Sequence, residues 1–191
     1  MDKMKEFFNN LAADWDNQSK GDPEKIERIL KTAELKDNSK ILDIACGTGV
    51  LEEFLLPHNP NSILAVDLSE KMIEKAKSKY DDFRITFLCE NIFNIKDEKF
   101  DFIIIYNAFP HFLEPEKFIN HISTLLNKDG QLVICHGMGR KPLNDHHKRT
   151  ANEISLGLKP ASEVAELISS SFTIKNVTDE EHIYIVYGTK K

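Results

Sequence analysis

The sequence predicts an α/β domain built as a three-layer sandwich: a mostly parallel, seven-stranded sheet that closes on a C-terminal antiparallel hairpin. Three observations predict it. Five short apolar runs alternate with segments of helical period. Those runs are nearly continuous in Ile, Leu, Val and Phe, as strands covered by helices on both faces require. The last twenty residues then break the alternation with two strand-like runs around a charged turn.

The elements follow in order. Residues 3–13 carry Met4, Phe7, Phe8 and Leu11 on one helical stripe. A polar stretch, 16–21, leads to Asp22-Pro23, which reads as an N-cap followed by proline in the first turn. The helix it opens places Ile26, Ile29, Leu30 and Ala33 on one face. Apolar runs at 40–45, 62–66, 84–88, 100–106 and 131–136 read as the parallel strands, and helical segments near 50–56, 69–79, 115–127 and 162–169 separate them. Runs at 172–177 and 183–187 flank the turn Asp179-Glu180-Glu181 and form the hairpin. Ile183-Tyr184-Ile185-Val186-Tyr187 is apolar throughout and therefore belongs inside the sheet, not at its edge. Residues 137–159 read as one long irregular stretch, a candidate substrate loop, because loops of that length usually carry function or motion.

No linker divides the chain, and 191 residues suffice for one well-cored domain, read here as 1–191. A composition of 41% hydrophobic and 29% charged residues excludes a mainly disordered chain. The net charge of −6 argues against a broad basic face for nucleic acid. Cys46, Cys89 and Cys135 lie far apart with no Cys-x-x-Cys spacing, which reads as reduced thiols in a cytoplasmic protein. The first residues lack a signal-peptide core, and no apolar run is long enough to cross a bilayer. Nothing in the sequence separates a monomer from a homodimer.

The turn after the first strand reads Asp43-Ile44-Ala45-Cys46-Gly47-Thr48-Gly49. Gly47 and Gly49 let a ligand approach the backbone and tolerate positive φ, and the helix that follows offers free N–H groups. Gly-x-Gly-x-x-Gly would need a third glycine near Glu52, and none is there, which opposes a nicotinamide dinucleotide. Asp43 lies inside the strand and suits a ligand carrying an ammonium group. Asp67 ends the second strand, where a carboxylate can accept both hydroxyls of a ribose; Ser69 is free to cap the next helix.

Ile41-Leu42-Asp43-Ile44-Ala45-Cys46-Gly47-Thr48-Gly49 followed by Val66-Asp67-Leu68-Ser69-Glu70-Lys71-Met72 resembles the first two motifs of class I S-adenosylmethionine (SAM)-dependent methyltransferases. The likeness, of the Asp-x-Ala-Cys-Gly-Thr-Gly subtype, continues through Phe87-Leu88-Cys89-Glu90-Asn91-Ile92, Phe100-Asp101 and Lys128-Asp129-Gly130-Gln131-Leu132. It implies a Rossmann-like fold and SAM as cofactor. By matching position, Asp43, Ala45, Cys46, Gly47 and Gly49 would border the methionine part. Asp67, with Leu68 and Met72 beside it, would take the ribose, Asn91 and Ile92 would lie by the adenine, and Asn107 would complete the cofactor set. Ala45 stands where many members have glycine. Asn91 replaces a frequent aspartate, and its amide oxygen can still accept the adenine amino group's hydrogen bond.

The resemblance implies methyl transfer to a small-molecule acceptor by direct displacement at the sulfonium methyl. Members that methylate nucleobase amino groups carry Asn/Asp-Pro-Pro-Tyr/Phe after the fourth strand, where this chain has Asn107-Ala108-Phe109-Pro110. Tyr106, His111 and His136 lie at carboxyl ends of strands and are the candidate catalytic residues. His111, His136, His146 and His147 also suggest an alternative, metal-assisted transfer, although their spacing matches no helical metal motif and no residue is assigned as a ligand. A non-catalytic SAM-binding protein is the other alternative. Phe7, Phe8 and Trp15 are open to two readings: packing of the first helix, or a lid formed by residues 1–21 over the cofactor.

Overall fold

The computed structural model describes residues 2–18 and 20–191. Its sheet has the order β3-β2-β1-β4-β5-β7-β6. Strands β1 (Lys40–Ile44), β2 (Ser62–Asp67), β3 (Ile85–Cys89), β4 (Phe100–Tyr106) and β5 (Leu126–His136) are parallel, and β6 (Phe172–Asp179) and β7 (Tyr184–Lys190) pair antiparallel. β7 lies between β5 and β6, so the wholly apolar run of the hairpin is interior, as its composition requires. β5 starts five residues before the run read from sequence. Its first part, Leu126, pairs with Phe100 across an irregularity in register, and charged residues there hide the strand's periodicity.

Helices cover both faces. α1 (Asp2–Leu11) and the single-turn α2 (Trp15–Gln18) precede α3 (Pro23–Ala33). Asp22 caps α3 by accepting from Lys25 N at 3.3 Å, with Pro23 in its first turn. α3 lays Ile26, Ile29, Leu30 and Ala33 against Ile41, Phe102, Ile104 and Val133. The short α4 (Glu52–Leu55) and α5 (Glu70–Lys79) cover the same face nearer β2 and β3, α5 through Ile73 and Ala76. The opposite face is covered by α6 (Pro115–Leu125) and α8 (Ala161–Ile168), which bury Phe118, Ile122, Val164 and Ile168 against Leu42, Ile103, Ile105 and Val186.

The stretch 137–159 is not irregular throughout: α7 (Arg140–Thr150) occupies its centre. Only Leu143 and His147, one turn apart, mark its buried face, too sparse a pattern to reveal a helix. Among the described residues no helix is long and apolar enough to cross a membrane.

Candidate functional site

The candidate ligand turn lies where β1 hands over to α4. Ala45, Gly47 and Gly49 all have positive φ, at 59°, 57° and 80°. Three left-handed residues in five coil the chain tightly and aim N–H groups into its concavity. A Cβ on Gly49 would stand 3.1 Å from Tyr80 Cε2 and 3.2 Å from Glu52 Oε2, so side chains already fill the space behind it. Tyr80 Oη clamps the turn by donating to Gly49 O at 2.7 Å. Asp67 holds it from β2, accepting from Gly47 N at 2.9 Å through one oxygen and from Ser69 N at 2.8 Å through the other. Ser69 caps α5 by accepting from Met72 N at 3.2 Å, which leaves Asp67 to the turn.

Two acids are buried behind the turn. Asp43 is 1% exposed, and its Oδ2 has no hydrogen-bond partner among the described residues. Glu52 is wholly buried, and neither of its oxygens has one. Burial pushes both carboxyls upward, and Glu52 adds repulsion at Asp43. Cys46 is buried in the same turn, and burial followed by these acids raises its thiol well above the ordinary range, which favours the protonated form.

Further along the strand ends, Asn91 opens a short turn whose Phe93 N donates to its Oδ1 at 3.1 Å. His121 of α6 holds Ile92 from behind: its Nε2 donates to Ile92 O at 2.8 Å. Leu68 and Met72 border the β2 side, Met72 buried. Asn107 is exposed at φ 56°, and its Oδ1 accepts from Gly137 N at 2.9 Å, which joins the ends of β4 and β5.

The N-terminal segment covers this surface. Trp15 Nε1 would stand 3.5 Å from a Cβ on Gly47, Asp16 accepts from Thr48 Oγ1, and Lys79 reaches Asp16 at 3.2 Å. Asn9 Oδ1 accepts from Ser69 Oγ at 2.6 Å, and Lys5 pairs with Glu70 at 3.0 Å. Phe8 lies edge-on to Trp15 at 5.7 Å on one side and to His111 at 5.2 Å on the other. Phe7, Phe8 and Trp15 thus pack in a chain of edge contacts, with Trp15 beside the turn.

Beyond Phe8, His111 and His147 have ring centroids 5.0 Å apart. His111 Nδ1 donates to Ile154 O at 2.9 Å, which fixes the neutral tautomer with its lone pair on Nε2. Burial lowers its affinity for a proton. His147 Nδ1 engages Ser155 Oγ at 2.8 Å. His136 is fully enclosed with neither ring nitrogen partnered among the described residues, and His146 lies outward on α7. Among the described residues these histidines assemble no metal-ligating group. Tyr106 is not brought to them: it belongs to the α3 side with Cys135, whereas His136 alternates to the other face, and burial raises the Tyr106 hydroxyl to about 12.

Enclosure has a measurable consequence. Desolvation, then His111, hold His136 at about 3 and His147 at about 4, both below the ordinary 6.5. A histidine depressed on folding contributes stability that is complete above the unfolded value and lost as pH falls below it. Asp43 and Glu52, raised on folding, act in the opposite sense. Comparison with His136→Phe isolates one group: from pH 6.5 to 4 the wild-type unfolding free energy should fall more steeply, by up to about 1.4 kcal/mol per pH unit. Urea titrations with equal slopes for the two proteins would contradict this.

Glu52 is the residue that sequence reasoning missed. An acid in a helix's first turn ordinarily reads as solvated and dipole-compensating. A signal was present in the turn's geometry: the position where a dinucleotide fold would carry its third glycine holds a carboxylate instead.

The profile of a methyltransferase domain family matches residues 42–134. A malonyl-[acyl-carrier protein] O-methyltransferase of Anoxybacillus flavithermus is 32% identical over 155 residues, 80% of this chain and 59% of that protein. A ubiquinone biosynthesis O-methyltransferase of Coxiella burnetii is 29% identical over 136 residues, 65% of this chain and 57% of that one. The chain thus spans little more than half the length of these curated relatives. Among solved structures, a methyltransferase in complex with the Haloferax volcanii Trm112 activator superposes with a TM-score of 0.80 at 14% identity, covering 96% of this chain and 97% of the other. The magnesium protoporphyrin IX methyltransferase of Synechocystis PCC 6803, solved with S-adenosylhomocysteine (SAH), does so with a TM-score of 0.74 at 17% identity, covering 98% of each.

Proposed function

Because this chain belongs to the class I SAM-dependent methyltransferase family, whose cofactor is SAM, we propose that it transfers the sulfonium methyl group to a small-molecule acceptor. One observation carries the reading: Asp43 and Glu52 are buried together behind a left-handed glycine turn, and three of their carboxylate oxygens meet no hydrogen-bond donor from the rest of the described residues. Buried carboxylates left unpaired are costly, and a ligand bearing a cation relieves that cost. An ammonium group beside a turn that admits close backbone approach fits SAM and gives a pyrophosphate no advantage.

The remaining residues fit as well. Asp67 spends one lone pair of each oxygen on a backbone N–H and keeps the others for ribose hydroxyls. Ala45 and Cys46 shape the turn, Leu68 and Met72 flank the ribose, and Asn91, Ile92 and Asn107 complete the cofactor's border. SAM, when bound, supplies an electrophilic methyl. His111, with Nδ1–H held by Ile154 O, offers its Nε2 lone pair to a proton that leaves the acceptor. Phe8 and Trp15 exclude water between the turn and His111. His136 and Tyr106 support this surface without touching the acceptor.

The residues available to enclose an acceptor, α1, α2 and α7, are few, which favours a small one. Two of the relatives above are named O-methyltransferases, and a protonated oxygen is the nucleophile a neutral imidazole serves best. SAM turnover to SAH across hydroxyl, carboxyl, thiol and amine acceptors is the test, with SAH formation expected first among the oxygen acids. SAH bound without turnover on any acceptor would favour the non-catalytic reading instead.

A further inference from the structure

We propose that Asp43 and Glu52 act together as a proton-exchanging receptor for the cofactor's ammonium group, with Glu52 a binding residue in its own right. The inference rests on the SAM reading above and goes beyond it by assigning Glu52 and a linked proton.

The geometry is specific. Asp43 projects from β1 toward the face covered by α4, and Glu52 comes from the first turn of α4 itself. Neither side chain reaches solvent, and Asp43 Oδ2 and both Glu52 oxygens are unpartnered among the described residues. Glu52 Oε2 would stand 3.2 Å from a Cβ on Gly49, which places the pair against the floor of the turn that admits the ligand. The charged and titratable groups bearing on the pair are few: Asp67 from β2, Cys46 in the turn, Cys135 from β5, and Lys79 and Tyr80 from the end of α5. Lys79 is engaged by Asp16 at 3.2 Å and does not neutralise them by contact. Two desolvated carboxylates side by side cannot both ionise, so the free pair holds a proton. An arriving ammonium takes over that proton's role. One proton passes from the pair to bulk buffer, and charge within the cavity balances.

Calorimetry of SAH binding in buffers of different ionisation enthalpy reads this directly on the unmodified protein. Net proton release is expected near pH 6.5, and SAH affinity should strengthen as pH rises from 5.5 to 8 while the pair is stripped of its proton. 5′-Methylthioadenosine, which lacks the amino-acid end, should bind without release. Glu52→Gln, close in shape, should lose the release, flatten the pH dependence and weaken SAH about tenfold at pH 8. Its affinity for 5′-methylthioadenosine should be unchanged, which also certifies that the variant is folded. SAH binding with no proton release, or equal release with both ligands, overturns the inference and leaves the SAM reading intact. Failure of both ligands to bind overturns both.

Discussion

Gly49→Val is expected to weaken SAH binding by on the order of a hundredfold or more while the protein stays folded. Gly49 sits at φ 80°, where a side chain strains the backbone by about 1–2 kcal/mol, and a β-branched one by more. The space is also filled: the new Cβ would meet Tyr80 Cε2 at 3.1 Å, Glu52 Oε2 at 3.2 Å and Ala76 Cβ at 3.4 Å. Relief requires Tyr80 to release Gly49 O, which it now clamps at 2.7 Å, and that loosens the whole turn. The sheet itself is untouched, because β1 and β4 pair upstream of the turn. Circular dichroism should therefore match wild type, while calorimetry loses the SAH signal. An affinity within fivefold of wild type would mean that the turn is only a connection.

His111→Phe separates chemistry from binding. The ring survives, with its contacts to Phe8 and His147, while both nitrogens go. Ile154 O loses its donor, a change of about 1 kcal/mol in stability. With an acceptor that must lose a proton, kcat should fall by about 10²–10⁴-fold, the usual contribution of a positioned base, with SAH affinity preserved. Burial keeps His111 below its ordinary range, so it remains neutral and competent at pH 7, and activity should decline only as pH falls below about 6.5. A kcat within threefold of wild type would remove His111 from the chemistry.

The sheet and the glycine turn are legible in the sequence because their signals are local. Buried parallel strands announce themselves as apolar runs, and the Asp43 to Gly49 turn is a contiguous string. Ser69 capped α5 as its position foretold, freeing Asp67. What escaped depends on three dimensions. Tyr106 and His136 end neighbouring strands, yet strand alternation sends them to opposite faces. α7 buries only two side chains and carries no readable stripe. Glu52 looks like any solvated helix acid until Asp43 is placed across from it. The bonds from Ser69 to Asn9 and from Thr48 to Asp16 link positions 60 and 32 residues apart, beyond any local pattern.

Trp15, the chain's single tryptophan, stands over Gly47. Its position turns the protein into its own optical instrument. Emission from this one indole reports the cover and nothing else, so a rapid-mixing trace follows opening and closing without an attached dye. If the cover must lift before SAM can reach the turn, the observed rate will converge at high SAM concentration on the opening rate, a limit set by the cover and not by diffusion.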